Sequence, residues 1–215
     1  MKNSNLEYKY FYRRNLPHIQ PKGYLFFITY RLEFILPDEI RRQLKNIKDK
    51  FNEEMKSSPE SEFNNLKTKC NDELFDLYDD YLWKRKQNPH WLKNNKIADI
   101  VRDSLFFNHK KLYKLVCFTI MSNHVHIIIK PKTNPKNIQY SLAKIMKDHK
   151  SYTANEANKI LTKHGQFWHH ENYDHFIRDR KDFNRIVGYI LENQVKAGLA
   201  ENYQDWKYSW FDKNP

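Results

Sequence analysis

His124-Val125-His126, followed by Ile127-Ile128-Ile129, is the segment with the clearest chemical potential. In a β-strand, residues two apart project from one face. The two imidazoles therefore stand side by side, while Val125, Ile127 and Ile129 face the other way. Two imidazoles so placed chelate a divalent cation when a third ligand arrives from elsewhere in the fold. Taken alone, the same spacing equally describes a pair of surface or core histidines.

The elements that must carry this pair are legible from periodicity. Residues 24–32 are β-branched and aromatic and predict a buried strand. Lys111 to Met121 and His124 to Lys130 predict two antiparallel strands joined by a tight turn at Ser122-Asn123. Between the first strand and these lies a helical stretch. Ile40, Leu44, Ile47, Phe51 and Met55 follow Pro37 at helical spacing. After a helix start at Ser58-Pro59, a second stripe runs through Phe63, Leu66, Cys70, Leu74, Leu77 and Tyr81, giving an αα-hairpin. A shorter helix is expected over Lys93 to Phe106. Downstream, a long helix is expected from about Asn137 to Leu161, with Ile138, Leu142, Ile145, His149, Tyr152 and Ile160 on one stripe. A strand follows over Phe167 to Arg178. Asp179 caps a last helix, about Lys181 to Ala197, ended by Gly198. On that helix Phe183, Ile186, Ile190 and Ala197 form the buried stripe. Tyr189 and Asn193, four apart and stacked one above the other, lie at its edge. The outline is an α+β fold, a small antiparallel sheet backed by helices. We read it as one domain over residues 1–215, with a helical insert at about 38–108.

Composition bounds the partner. The 215 residues carry 38 Lys plus Arg against 26 Asp plus Glu, a net charge of +12. Residues 39–83 hold 8 of the basic and 11 of the acidic residues, leaving 30 basic and 15 acidic elsewhere. The basicity lies outside the insert and favours a polyanion, most commonly nucleic acid. Lys144, Lys147 and Lys150 line one helix face, suited to tracking phosphates or to meeting solvent. Arg13 and Arg14, ahead of Pro17 and His18, form a basic arm suited to a groove or a hairpin foot. Arg31 and Arg178 suit phosphates, and equally suit pairing with carboxylates. Trp168 offers a ring for stacking on an unpaired base, or for the core. His175, beside Asp174, supports a site, contacts nucleic acid, or ends a strand. The apolar runs are too short to cross a bilayer, and Met1 to Arg14 lacks a signal-peptide pattern. Two cysteines, Cys70 and Cys117, give no disulfide framework. The expected setting is a cytoplasm.

Met121 to Pro131 resembles the histidine-hydrophobic-histidine (HUH) motif of single-tyrosine transposases. Other blocks match in order: Arg13 to His18, Phe27 to Leu32, Phe167-Trp168 with Glu171 to Asp179, Ile186 to Leu199, and Asp205 to Ser209. Together they resemble the REP-associated tyrosine transposases over nearly the whole chain. The resemblance implies a ferredoxin-like HUH fold and an enzyme of DNA transposition and recombination. Such an enzyme nicks single-stranded DNA at hairpin or palindromic repeats through a 5′-phosphotyrosine, frees a 3′-OH, and rejoins strands by reversal. It implies a divalent cation, Mg²⁺ or Mn²⁺, held by His124, His126 and an oxygen ligand. Tyr189 is then the nucleophile, with Tyr173 as its rival. Asn193 is the third ligand, where the family often has the longer Gln, with Glu192 and Gln194 as alternates. The subgroup is expected to act as a monomer. A second reading keeps the fold as a module that grips structured nucleic acid without cutting. A third, a metal phosphoesterase using activated water, is disfavoured because two-motif phosphoesterases need a second His-x-His.

Overall fold

A computed structural model of the chain describes residues 11–13, 17–84 and 88–213. The chain divides into two compact units. Of the described residues, one comprises 11–12, 18–33 and 89–213, and the other 13, 17, 34–84 and 88. A two-stranded ribbon, β1 (Phe11–Arg13) with β2 (Pro17–Ile19), comes first in chain order.

The larger unit is built on β3 (Leu25–Arg31), and the smaller on α1 (Asp38–Ser57) and α2 (Phe63–Lys84). The larger unit continues with α3 (Asn95–Asn108), β4 (Tyr113–Ile120), β5 (His124–Pro131) and α4 (Leu142–Ile160). It ends with β6 (Tyr173–Ile177), α5 (Arg180–Lys196) and β7 (Ser209–Phe211). Its antiparallel sheet has the order β6-β3-β5-β4-β7. The α+β class expected from the sequence is the class observed. Helices cover both faces. Strand β5 is central, and Ile127, Ile128 and Ile129 are at most 1% exposed. A strand covered on both faces reads as a continuous apolar run rather than an alternation. Each such side chain contributes about 1.5–3 kcal/mol through burial.

Register assigns the faces. Thr29 and Thr119 both pair with His126, so these three point one way. Tyr30 and Ile120 pair with Val125 and point the other way. Helix α5 covers the histidine face, where Gln194 accepts a hydrogen bond from Thr119 Oγ1 at 3.1 Å. Helices α3 and α4 cover the opposite face, where His149 meets the Tyr30 hydroxyl at 2.7 Å and Phe106 meets Phe118 edge-on.

In the smaller unit α1 and α2 pack as the expected hairpin. Leu44, Phe51, Cys70, Leu74 and Tyr81 are buried, with Ile40, Ile47, Met55, Leu66 and Leu77 against them. Ser58 closes α1 instead of opening α2. A 3-10 turn, Glu60–Glu62, intervenes and α2 begins at Phe63.

Other boundaries also moved. Helix α4 starts at Leu142, because Ser141 caps it and Asn134 Oδ1 accepts from the Lys136 and Ile138 amides in a local turn. Its buried stripe is Leu142, Ile145, Met146, His149, Thr153 and Ala157, leaving Ile138, Tyr152 and Ile160 exposed. On α5, Ala197 is the exposed C-cap, and Val187, Leu191, Asn193 and Gln194 join the buried face. The strand expected from Phe167 is confined to β6. Trp168 makes a single bridge to Leu32, and Lys150 Nζ holds the His170 and Glu171 carbonyls at 3.2 and 3.5 Å.

Candidate active site

Strand β5 presents His124 and His126 in the middle of the sheet, 2% and 0% exposed, with ring centroids 4.7 Å apart. Burial, with His90 nearby, pushes His124 down to about 3. Burial and His124 hold His126 well below its ordinary value. Both imidazoles are therefore neutral at pH 7, the state that offers a lone pair.

For His124 a hydrogen bond fixes which nitrogen offers it. The Asn123 amide oxygen only accepts, so His124 Nδ1–H donates to it at 2.6 Å. His124 Nε2 is left as a lone pair, buried and with no hydrogen-bond partner among the described residues. The Tyr189 hydroxyl lies 3.5 Å from His126 Nε2, and the Thr29 hydroxyl lies 2.7 Å from His126 Nδ1.

Helix α5 delivers Tyr189. The Asp179 side chain accepts from the Asp182 amide at 2.8 Å and caps the helix, an arrangement worth about 1 kcal/mol. His175 Nε2, on β6, bonds Asp182 Oδ2 at 3.0 Å and ties the first turn to the sheet. Burial acts to raise the Asp182 carboxyl, yet hydrogen bonds from His175 and Arg185 hold it below the usual range. Two turns further on, the half-buried Tyr189 ring packs edge-on against His126, centroids 5.2 Å apart, and against Phe27 at 6.0 Å.

One turn beyond Tyr189, Asn193 is 1% exposed, and neither side-chain polar atom has a partner among the described residues. Leaving a buried amide unbonded costs about 1–3 kcal/mol. The alternates are engaged elsewhere. Gln194 accepts from Thr119 and donates to the Leu191 carbonyl at 2.6 Å, and Glu192 pairs with Lys196 on an exposed flank. An unpartnered imidazole nitrogen and an unbonded buried amide are what a divalent cation would satisfy, so the residues present fit one. The rival Tyr173 shares this face, because Thr29 pairs with it in register, and its ring packs against Phe27 at 6.0 Å.

The other sequence candidates are scattered. Trp168 is a core residue. It is 4% exposed, packs on Tyr30 and Phe167, and donates Nε1–H to Thr153 at 2.8 Å, so it has no open face for a base. Arg31 is 5% exposed and donates to the Leu32 carbonyl at 2.9 Å, which places its guanidinium inside the protein and not on a phosphate-facing surface. Lys144 pairs with Asp148 at 2.5 Å, and Lys150 serves the backbone of residues 170 and 171. Lys147 and Arg178 are exposed. The side chain of Arg13 and the whole of Arg14 lie outside the described residues. Sequence reasoning missed the supporting set of Thr29, Phe27 and Asp182. Thr29 and Phe27 alternate along β3 on the histidine face, a period-two signal that became informative once β3 was paired with β5.

A family model described as "Transposase IS200 like" matches residues 73–194. A Haemophilus influenzae protein named as a REP-associated tyrosine transposase is 28% identical over 107 residues, 47% of this chain. The match spans 61% of that relative's length. The solved structure of a REP-associated tyrosine transposase bound to a REP hairpin has the same fold, with a TM-score of 0.52 at 14% identity. That likeness covers 92% of this chain and 80% of the other. The family match takes in more than half of the sequence and includes the histidine pair, Tyr189 and Asn193, and the chain belongs to the IS200-like transposase family.

Proposed function

We propose that the chain is a metal-dependent tyrosine nickase-ligase of DNA transposition that acts on single-stranded DNA at hairpin or palindromic repeats. The observation that carries this reading is the Tyr189 hydroxyl 3.5 Å from His126 Nε2, beside the unpartnered Nε2 of His124. The Tyr189 oxygen attacks the scissile phosphorus. A phenol O–P bond forms as the P–O3′ bond breaks, the phenol proton passes to solvent, and the departing 3′-oxygen takes one up as a hydroxyl. The downstream strand stays on the protein as a 5′-phosphotyrosine, and reversal by a 3′-OH rejoins strands. Tyrosine suits both directions, because its oxygen is a competent nucleophile and a tolerable leaving group.

His124, His126 and Asn193 would hold a divalent cation, Mg²⁺ or Mn²⁺. When bound, the cation polarises the phosphate and offsets charge in the transition state. Thr29 and Asn123 orient the two imidazoles. Phe27 limits the motion of the Tyr189 ring. The nucleophile and the ligands come from one chain, which supports action as a monomer. The exposed Lys147 and Arg178, together with Arg13 and Arg14 of the basic N-terminal sequence, are the groups we assign to phosphates. No described helix is long and apolar enough to cross a membrane, and we place the activity in the cytoplasm.

Purified protein incubated with Mn²⁺ and a panel of single-stranded hairpin oligonucleotides tests the proposal. A covalent protein–DNA adduct that survives a denaturing gel and disappears with chelator is expected. Tight, salt-sensitive binding of the same hairpins with no adduct would instead establish the non-cleaving module.

A further inference from the structure

The loop between Trp168 and β6 holds a second cluster of metal-ligating side chains that the transposase chemistry does not use. His169, His170 and Glu171 each offer one ligand atom, and the three atoms lie within 4.8 Å of one another. The two imidazole centroids are 4.5 Å apart. Glu171 is 8% exposed, His169 is half-buried, and His170 reaches solvent.

Two features organise this cluster. His169 Nδ1 lies 3.0 Å from Glu33 Oε2. A carboxylate only accepts, so the proton sits on Nδ1 and Nε2 keeps its lone pair. This is the outer-carboxylate arrangement that orients histidine ligands around metals. The backbone is also pinned. The His169 amide donates to the Arg31 carbonyl at 2.9 Å, the Glu33 amide donates to Phe167 at 2.8 Å, and Lys150 holds the carbonyls of His170 and Glu171.

We propose that His169, His170 and Glu171 form a site for a borderline divalent transition metal of the zinc class, additional to the His124–His126 pair, with Glu33 as its outer carboxylate. Two nitrogens and one oxygen are a common protein donor set for Zn²⁺, and three protein ligands leave one position for water. Donors on a tetrahedral zinc sit about 3.3 Å apart, given bonds of about 2.0 Å. His170, the exposed member of the three, has room to rotate toward the other two ligands. The bound metal fastens the loop to the end of β3, where Trp168 bridges Leu32.

Equilibrium dialysis of chelator-stripped, full-length protein against Zn²⁺ tests the site. Wild type is expected to bind two equivalents. His170→Ala, an exposed change that spares the core, is expected to bind one, as is the His124→Ala/His126→Ala protein. Glu33→Gln is expected to weaken the loop site about 10–100-fold. A single equivalent in wild type that His170→Ala retains, or two retained in His170→Ala, would overturn the proposal, whereas a single equivalent lost in His170→Ala would still place the metal in the loop. The hairpin adduct is read in the same His170→Ala protein with Mg²⁺, so failure of the loop site is told apart from failure of the transposase reading.

Discussion

Both faces of the sheet bury a histidine whose pKa falls to about 3, yet the two differ in what their ring nitrogens do. His149, on the α3/α4 face, meets Tyr30 Oη at 2.7 Å through Nε2 and Ser104 Oγ at 2.9 Å through Nδ1. One hydroxyl donates, the other accepts, and the ring is saturated. Around it Thr153 bonds the His149 carbonyl at 2.8 Å, and Trp168 bonds Thr153 in turn. His124, on the α5 face, is buried to the same degree but its Nε2 has no partner among the described residues. Burial and a depressed pKa are common to a structural knot and a candidate metal site. The unbonded lone pair separates them.

The largest difference between the faces is expected in chemistry. Tyr189→Phe should reduce adduct formation by roughly 10³-fold or more, the scale seen when a nucleophile is removed. Tyr173→Phe should leave it within a few-fold. Quantified adduct on a denaturing gel checks both. The reverse pattern would transfer the nucleophile to β6.

Stability should follow the opposite ranking. His149→Ala leaves two buried hydroxyls unbonded and opens a cavity, a loss of about 3 kcal/mol. His124→Ala opens a comparable cavity but removes a single hydrogen bond, and should cost about 1 kcal/mol less than His149→Ala while abolishing the adduct. Urea unfolding monitored by tryptophan fluorescence compares them. Equal losses would show that the two histidines are equally structural.

The pH response sharpens the same contrast. An unfolded histidine titrates near 6.5, whereas folded His149 titrates near 3. Between these values the unfolded chain binds the extra proton, so stability falls as pH falls through this window and is fully present above about 6.5. His149→Gln should remove up to about 1.4 kcal/mol per pH unit from that slope. Urea midpoints at pH 7, 6 and 5 measure it, and an unchanged slope would contradict the assignment.

Asn193→Ala gives the smallest expected stability change, under about 1 kcal/mol, because the lost amide makes no hydrogen bond among the described residues. The Mn²⁺ concentration for half-maximal adduct should nevertheless rise about 10-fold, a typical cost of losing a ligand-side contact. A large stability loss with an unchanged Mn²⁺ requirement would remove Asn193 from the site.

Much of this contrast was legible in the sequence, and the failures share a cause. The histidine pair, its strand and the Asp179-capped helix carrying Tyr189 followed from periods of two and 3.6, because their buried faces are mostly apolar. On helix α4 the expected stripe holds at Leu142, Ile145 and His149 and departs at its two ends, because Thr153 and Ala157 take the core positions there while Ile138, Tyr152 and Ile160 face solvent. The third ligand was ambiguous because one residue turns a helix by 100°. Only the packing of Gln194 against Thr119 shows which amide is engaged. Strand β7 has three residues, too few for any period. Arg31 and Trp168 looked like nucleic-acid contacts by type, and pairing of the 31–33 segment with residues 167–169 buried both.

The central claim is that the Tyr189 oxygen forms the bond to DNA. Proteolysis of the gel-purified hairpin adduct, followed by mass spectrometry of the nucleotide-bearing peptide, reads that bond directly. The account predicts a phosphonucleotide on Tyr189, in the peptide that also contains Asn193. The same mass on Tyr173, or on any residue outside α5, would contradict it.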